Sequence, residues 1–229
     1  MNDSQRRLPL IALSDLVHFP RTSVRLQVDE PRYRRLVRDL LKRDEETRLI
    51  GLVLVKPGTE RAEAGENREI FPGGTAGRLV GVESLPDGRS VIELEGEFRF
   101  MIRYEVGTSP YREALIEPVE EPRYNDEDDG IQMVRREILD LAERLAQEAS
   151  DAFPFDGGKV AALRNASSFE EVVNAFSAEL DLPILRKLQL LVAALPDRAL
   201  DLLTILKSRH RVLELLRPFR PLATRPDLN

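Results

Sequence analysis

The sequence has no cysteine and no tryptophan among its 229 residues, and it has only two histidines, His18 and His210. The missing cysteines exclude disulfides, zinc sites built on thiolates and cysteine nucleophiles. Neither histidine has a second histidine or an acidic cluster beside it in sequence, and a metal ligand or general base needs a partner that orients it. We therefore expect no catalytic residue, no metal site and no cofactor.

Long apolar runs are also missing. The longest uncharged apolar stretches, residues 49–55 and 188–195, are far shorter than the roughly 20 residues that a membrane-spanning helix needs. The first residues lack the continuous apolar region of a secretory signal. We therefore expect a protein of the bacterial cytoplasm with no membrane partner.

A basic excess is missing as well, since the formal net charge is -6. Residues 120–129 carry six acidic residues and one basic residue, and the rest of the chain is balanced. Nucleic-acid binders gain affinity by neutralising phosphates and usually show a basic surplus. Nucleic acid is therefore an unlikely partner on composition.

The first half of the sequence has the periodicity of strands with one helix among them. Alternating apolar residues over 24–28 and an apolar run over 50–55 predict two strands. Pro31 and the helical spacing of the apolar residues after it predict a helix, with Asp29 as its N-cap.

A long β-hairpin is the strongest local pattern. Residues 78–84 and 89–104 flank Pro86-Asp87-Gly88, whose residue types favour a tight turn. In the second strand, apolar residues take even positions as far as Tyr104 and charged residues, Arg99 included, take odd ones, which predicts a buried and an exposed face. Gly96 interrupts the pattern and predicts a bulge or bend in a closed or strongly curled sheet.

The periodicity becomes helical after the acidic segment. Apolar residues at helical spacing follow Asp128 and Ser168, whose side chains can cap the helices, and two further apolar helical runs follow Asp181 and Asp197. Short connections join these predicted helices. We therefore predict an α+β fold with a strand subdomain over residues 1–121 and a helical bundle over residues 122–229.

Two aromatic residues, Phe153 and Phe155, flank Pro154 in a predicted loop between helices. If exposed, the rings would form a binding surface that the proline holds ready at little ordering cost. The alternative is that both rings fill the bundle, where aromatic side chains gain large burial energies. We predict Phe153, Phe155 and Phe71 as peptide-binding residues.

Arg35, Arg38 and Lys42 form a basic stripe on the predicted first helix, opposite its apolar face. A solvated helix face is the simpler interpretation of this stripe. Contact with an anion or with RNA is the alternative function for these three residues.

The order of several short motifs resembles the N-terminal domain of ATP-dependent Lon proteases, over about residues 8–207. The motifs are Leu8-Pro9-Leu10, Phe19-Pro20, Gly74-Thr75-Ala76-Gly77-Arg78-Leu79, Glu95-Gly96 with Arg99-Phe100, Tyr111-Arg112-Glu113-Ala114, and Leu182-Pro183 before a leucine-rich helix. Arg21 departs from the family pattern, which usually has glycine at this position.

This resemblance implies a β-barrel of the pseudouridine-synthase-and-archaeosine-transglycosylase (PUA-like) kind with one inserted helix, followed by a C-terminal helical bundle. It also implies a non-catalytic protein- or peptide-binding module, because this sequence has no Walker loop and no place for the family's Ser/Lys protease dyad. We expect a free-standing member whose partner is a polypeptide or another protein. An RNA- or nucleotide-binding PUA-like module is the alternative, and the oligomeric state stays open.

Overall fold

The computed structural model describes residues 6–59, 68–86, 89–149, 153–165 and 168–219. These residues form a mixed six-stranded sheet and six α-helices, which confirms the predicted α+β class. The strands are β1 (Arg6–Leu13), β2 (Ser23–Val28), β3 (Leu49–Val55), β4 (Ile70–Ser84), β5 (Ser90–Gly107) and β6 (Glu113–Pro118). The helices are α1 (Pro31–Leu40), α2 (Asp129–Glu148), α3 (Gly157–Arg164), α4 (Phe169–Glu179), α5 (Ile184–Val192) and α6 (Leu195–Leu216).

The chain divides into two compact units. The strand unit is Met1–Pro122 with Leu182–Ala193, and the helical unit is Arg123–Asp181 with Ala194–Asn229. Helix α5 thus groups with the sheet, whereas the sequence predicted it as part of a helical subdomain over 122–229. The physical reason lies at Arg99 on β5, whose Nη1 donates hydrogen bonds to the carbonyl oxygens of Leu191 (2.8 Å) and Ala193 (2.9 Å) at the end of α5.

The sheet of the strand unit has the order β2-β5-β4-β3-β1-β6, and β6 also pairs with β5. The β1–β3 pair is parallel and the other pairs are antiparallel. Because β6 pairs with both β1 and β5, the pairings among β1, β3, β4, β5 and β6 return to the strand from which they start. Strand β2 extends this arrangement beside the first half of β5.

The predicted irregularity at Gly96 is confirmed. Strand β5 pairs with β2 as far as Glu95 and with β6 from Phe100 onward, and its register against β4 shifts between Ala76 and Gly77. A Cβ atom on Gly96 would lie 2.2 Å from the carbonyl oxygen of Phe19. Any residue with a Cβ atom would clash at this close approach, so glycine is required at position 96. This position lies where β5 stops pairing with β2.

Two side chains of β5 contradict the simple alternation that the sequence predicted. Arg99 is only 5% exposed and Tyr104 is 59% exposed. The register shift beside Gly96, and a second shift against β6 between Ile102 and Tyr104, break the two-residue period. Asp87 and Gly88 of the predicted turn lie outside the described residues, while the amide of Leu85 donates to the carbonyl oxygen of Arg89 across it (2.9 Å).

Two apolar clusters stabilise the strand unit. In the first, helix α1 covers one side of the sheet, and in the second, side chains of β1, β3, β5 and β6 pack on one another. Burying each large apolar side chain contributes roughly 1.5 to 3 kcal/mol. The fully buried members include Leu36, Leu40, Ile50, Ile92 and Leu94 in the first cluster, and Leu10, Phe100, Ala114 and Ile116 in the second.

The helical unit confirms two of the predicted caps. The Asp128 carboxylate accepts a hydrogen bond from the amide of Gly130 at the start of α2 (2.9 Å). The Ser168 hydroxyl accepts one from the amide of Glu171 at the start of α4 (3.2 Å). These side chains satisfy amides that the first helical turn leaves unpaired.

The predicted cap at Asp29 is wrong, because Glu30 precedes α1 and makes no side-chain cap bond. Helices α5 and α6 follow Pro183 and Ala194, neither of which makes a side-chain cap bond. Prolines in the first turn of α1 and α6 supply the start signal instead, since their fixed φ suits the helix and they lack the amide that would need a partner.

The sequence pattern did not predict helix α3, because Gly157 and Gly158 at its start disfavour a helix. The Asp156 carboxylate caps it by accepting from the amide of Lys159 (2.7 Å). The predicted interhelical loop around Phe153 and Phe155 is therefore short, and it ends directly at a capped helix.

Candidate functional site

The two loop aromatics of the helical unit are buried. Phe153 is 6% exposed and Phe155 is 2% exposed, and the Phe155 ring centroid lies 4.4 Å from that of Phe176 on α4. The interpretation of an exposed aromatic pair is therefore wrong, and the alternative, in which both rings fill the bundle, is what the structure has. Both rings are buried because removing their large apolar area from water stabilises the folded chain.

Phe153 nevertheless contributes to a groove in the helical unit, with a volume of about 260 Å³. Leu145 on α2 and Ala149, the residue that follows this helix, are four residues apart, as are the α6 residues Ser208 and Val212. The lining consists of Leu145, Ala149, Phe153, Ser208, Arg209, Val212 and Leu213.

Charge is scarce in this groove. Arg209 is the one charged residue in its lining, and the Arg209 guanidinium donates a hydrogen bond to the carbonyl oxygen of Asp181. Ser208 is the one other polar residue of the lining. The groove is therefore suited mainly to apolar side chains, because the rest of its lining offers a charged group no compensation for the water that it would lose.

The last turns of α6 extend the apolar surface beyond the groove. Val212 in the lining is 50% exposed, Leu216 four residues on is 51% exposed, and Leu215 beside it is 64% exposed. Neighbouring exposed apolar residues of this size mark interaction surfaces more often than isolated ones do. The groove and this helix end together form a surface, here called the α6 surface, that could receive apolar side chains of a partner.

The predicted basic residues of α1 have different neighbours. Lys42 and Arg35 lie 2.9 Å and 3.9 Å from carboxylate oxygens of Asp39, and the hydrogen bond from Lys42 lowers the pKa of that carboxyl group. Arg38 lines a second groove in the strand unit together with Arg34, and its Nε donates a hydrogen bond to the Arg34 carbonyl oxygen (3.4 Å). A role for Arg35, Arg38 and Lys42 in anion binding stays a prediction.

Phe71, the third predicted peptide-binding aromatic, lies near the start of β4 in the strand unit and is half-buried. It does not line the groove that includes Phe153. Its role in binding stays a prediction.

Neither histidine is part of a reactive cluster. His18 is 5% exposed, and burial lowers its pKa to about 4. The hydroxyl of Thr22, 3.5 Å from its Nδ1, donates instead to the carbonyl oxygen of Phe19 (2.8 Å). His210 Nδ1 lies 3.9 Å from a Glu214 carboxylate oxygen. Within the described ranges, no group of three or more histidine, aspartate or glutamate side chains could hold a metal ion.

None of the helices that the structure describes has both the length and the apolar character needed to cross a bilayer.

The sheet of the strand unit and the helices of the helical unit define an α+β chain of two compact units. The family model of the ATP-dependent protease La (LON) substrate-binding domain matches residues 7–208. The chain belongs to this family.

Similar proteins support the assignment. The chain is 27% identical to a Lon protease of Flavobacterium johnsoniae over 91% of its own length, and 25% identical to one of Parabacteroides distasonis over 97%. The solved N-terminal domain of a Mycobacterium avium complex Lon protease matches 88% of this chain and 98% of its own, with a TM-score of 0.64 and 15% identity, and so supports the fold alone. The chain spans about a quarter of the two curated relatives, 25% and 26% of their lengths.

Sequence reasoning missed the residues of the α6 surface other than Phe153. The available signal was the excess of leucine at 213, 215 and 216, which no single buried face of a helix can take up. Arg209 gave no signal, because its bond to a backbone oxygen depends on the packed helices.

Proposed function

We propose that this chain is a non-catalytic module that binds polypeptide segments through exposed apolar side chains, with the α6 surface as the site. The observation that carries the proposal is the apolar groove beside Phe153, continued by the exposed Val212, Leu215 and Leu216. The name of the matched family, a substrate-binding domain of an ATP-dependent protease, supports it.

The size of the groove limits how many apolar side chains of a partner it can bury, and this number limits the binding free energy. Two apolar side chains seated on the α6 surface would gain roughly 3 to 6 kcal/mol at about 1.5 to 3 kcal/mol each. Association and the ordering of a flexible segment cost a similar amount. The interaction is therefore weak and reversible, and it selects apolar character rather than one sequence, which suits a module that samples many polypeptides.

We also propose that the strand unit is a PUA-like barrel, which the return of the strand pairings to β5 supports. A junction between strand and helical subdomains near residue 122 goes with it. Limited proteolysis that first cuts the native chain within β5 would contradict this division.

The proposed function is tested with a fluorescent, uncharged peptide of leucine, phenylalanine and serine. Val212→Asp replaces an apolar side chain of the groove lining by a hydrated carboxylate and should weaken the peptide Kd at least tenfold. Leu200→Asp is the matched control, because Leu200 lies on the same helix, is 54% exposed and is outside the groove lining. Its Kd should stay within twofold of that of the unaltered chain.

Equal weakening in both variants, or in neither, would overturn the site. The non-catalytic part of the proposal is tested separately, by incubating the purified chain with ATP and casein. ATP hydrolysis or casein cleavage that stays with the chain through purification would overturn that part.

A further inference from the structure

Three arginines of the strand unit are connected by contacts that start at the beginning of α1. Arg32 lies in the first turn of α1, Arg68 precedes β4, and Arg112 precedes β6. Glu30, the residue before α1, has one carboxylate oxygen 2.6 Å from Arg32 Nη2 and the other 3.8 Å from Arg68 Nη1. Arg112 Nη2 donates a hydrogen bond to the carbonyl oxygen of Arg68 (2.9 Å). Arg32, Arg68 and Arg112 are here called the arginine cluster.

Each arginine of the cluster has one buried nitrogen that makes no hydrogen bond. These nitrogens are Nε of Arg32, Nε of Arg68 and Nη1 of Arg112. A buried N–H group without an acceptor destabilises a folded protein, so nearly all such groups in native proteins have one. The arginine cluster therefore presents donors for an acceptor that the described residues do not supply.

Glu30 fits these donors poorly. Its Oε2 is buried and makes no hydrogen bond, although it lies close to Arg32 Nη2, and 3.8 Å from Oε1 to Arg68 Nη1 is too long for a hydrogen bond. The Glu30 backbone cannot adjust, because its carbonyl oxygen accepts from the amides of Tyr33 and Arg34 in the first turn of α1 (3.0 Å each). A guanidinium group binds a carboxylate most strongly through two parallel N–H groups, and Glu30 bonds neither Nε. It is a carboxylate held in an imperfect position.

The charge of the cluster suits one further carboxylate. Besides Glu30, the acidic contact of these arginines is Glu105, whose Oε2 lies 3.0 Å from Arg112 Nε. Three positive and two negative side chains leave one positive charge. The arginine side chains are only 13% to 27% exposed, so solvent and salt screen this charge less than at an open surface. A carboxylate carries the single negative charge that balances it, whereas a phosphate monoester carries nearly two at neutral pH.

The cluster is open to solvent on the side of Glu30, whose side chain is 31% exposed. Contacts other than Glu30 hold two of the arginines. The Arg32 guanidinium lies 4.8 Å from the centre of the Tyr33 ring, a cation–π contact, and Arg112 is held by Glu105 and by the carbonyl oxygen of Arg68. The guanidinium groups of Arg32 and Arg112 therefore keep these contacts when the Glu30 side chain turns outward.

We propose that the arginine cluster binds one carboxylate group, either of a free carboxylate ion or of a polypeptide, and that Glu30 is its internal competitor. The incoming carboxylate takes the place of the Glu30 side chain between Arg32 and Arg68 and accepts hydrogen bonds from their Nε–H groups. Glu30 then turns into solvent. This site goes beyond the proposed function, because it lies in the strand unit and takes a charged group.

The test follows the arginine Nε–Hε signals by NMR while acetate replaces chloride at constant ionic strength. The signals of Arg32 and Arg68 should shift and saturate with acetate. Glu30→Gln removes the competing charge and should tighten the acetate Kd at least fivefold. It keeps the start of α1, because the Glu30 side chain makes no cap bond. The matched control is Glu117→Gln, which removes the acidic partner of Arg103 in the same unit and should change the Kd less than twofold.

A second pair of variants removes the donors. Arg68→Gln should weaken the acetate Kd at least fivefold, because it removes an Nε–H group aligned for the carboxylate together with its positive charge. Arg103→Gln makes the same change of charge in the Arg103–Glu117 pair and should alter the Kd less than twofold. The gain expected for Glu30→Gln cannot result from misfolding, so it tests the proposal even if Arg68→Gln does not fold.

Two peptides distinguish the sources of the carboxylate. An acetylated glycine–serine pentapeptide with a free C-terminal carboxylate should shift the same signals, and its C-terminal amide should not. A peptide Kd at least tenfold tighter than that of acetate assigns the site to polypeptide, and a Kd no tighter than that of acetate assigns it to small carboxylate ions. Val212→Asp should leave the acetate Kd within twofold, so this site and the α6 surface can fail separately.

Four results would overturn the proposal. They are equal shifts with chloride and acetate, tighter binding of phosphate than of acetate at the same ionic strength, an acetate Kd that Glu30→Gln leaves unchanged or weakens, and equal effects of Arg68→Gln and Arg103→Gln. Each of them would mean that the cluster is an ion-pair network without a carboxylate site.

Discussion

The grooves of the two units differ in the side chains that line them. The groove of the helical unit is lined by apolar side chains, and its one arginine bonds a backbone oxygen. The groove of the strand unit is lined by Arg34 and Arg38 together with Val37, Leu41 and Val82. The two linings thus differ in charge. The net charge of a chain therefore does not describe the charge of its separate surfaces.

The largest expected effect concerns the core beneath the apolar groove. Phe155→Ala should cost about 3 to 5 kcal/mol of unfolding free energy, because Phe155 is 2% exposed and the truncation leaves a cavity beside Phe176. Urea unfolding followed by circular dichroism measures the loss. Phe71→Ala, at a half-buried ring of the strand unit, is the control and should cost less. A loss below about 1 kcal/mol for Phe155→Ala would show that its ring is not core.

The second effect is a pH dependence of the unfolding free energy, and it arises from His18 in the strand unit. Burial lowers the pKa of His18 from 6.5 to about 4 in the folded chain. The unfolded chain therefore binds more protons between these values, so stability is full above about pH 6.5 and falls by up to about 3 kcal/mol as the pH decreases to 4.

Urea unfolding at several pH values tests this dependence. His18→Gln should remove this contribution to the slope between pH 4 and 6.5. His210→Gln, in the helical unit, should retain it. Parallel pH profiles for the unaltered chain and His18→Gln would contradict the buried, neutral His18.

The smallest effect is the response of the apolar groove to salt. Raising ionic strength from about 0.1 M to about 1 M shortens the Debye length from about 10 Å to about 3 Å. Binding of the uncharged apolar peptide should stay constant or tighten slightly, because salt does not screen apolar contacts. A severalfold weakening of its Kd, measured by anisotropy, would show that charged groups hold the peptide.

Much of the fold could be predicted because local patterns decide it. The alternation over 24–28, the apolar run over 50–55 and the helical spacing after Pro31 each correspond to an element of the structure. Gly96 could be identified as an irregular position since glycine in a strand interior has few other uses. The burial of Arg99 could not, because its partners Leu191 and Ala193 are more than ninety residues away in sequence.

The candidate sites were harder to predict than the fold. The helical periodicity on either side correctly predicted that Phe153 and Phe155 lie in a connection between helices. It did not predict whether the two rings are exposed. Helical spacing identified the basic residues of α1 but did not show that Asp39 pairs with Arg35 and Lys42, or that β4 ends beside Arg38. The burial of the two rings and the neighbours of the basic residues on α1 both depend on tertiary packing.

Photo-crosslinking tests the central claim, that the α6 surface binds polypeptide, most directly. Benzoylphenylalanine is placed at position 212 in one variant and at position 200 in another, and each is irradiated with the uncharged apolar peptide. Both positions are about half exposed on the same helix, at 50% and 54%. We expect strong crosslinking from position 212 and little from position 200. Equal crosslinking from both, or none from 212 under conditions where the peptide binds, would contradict it.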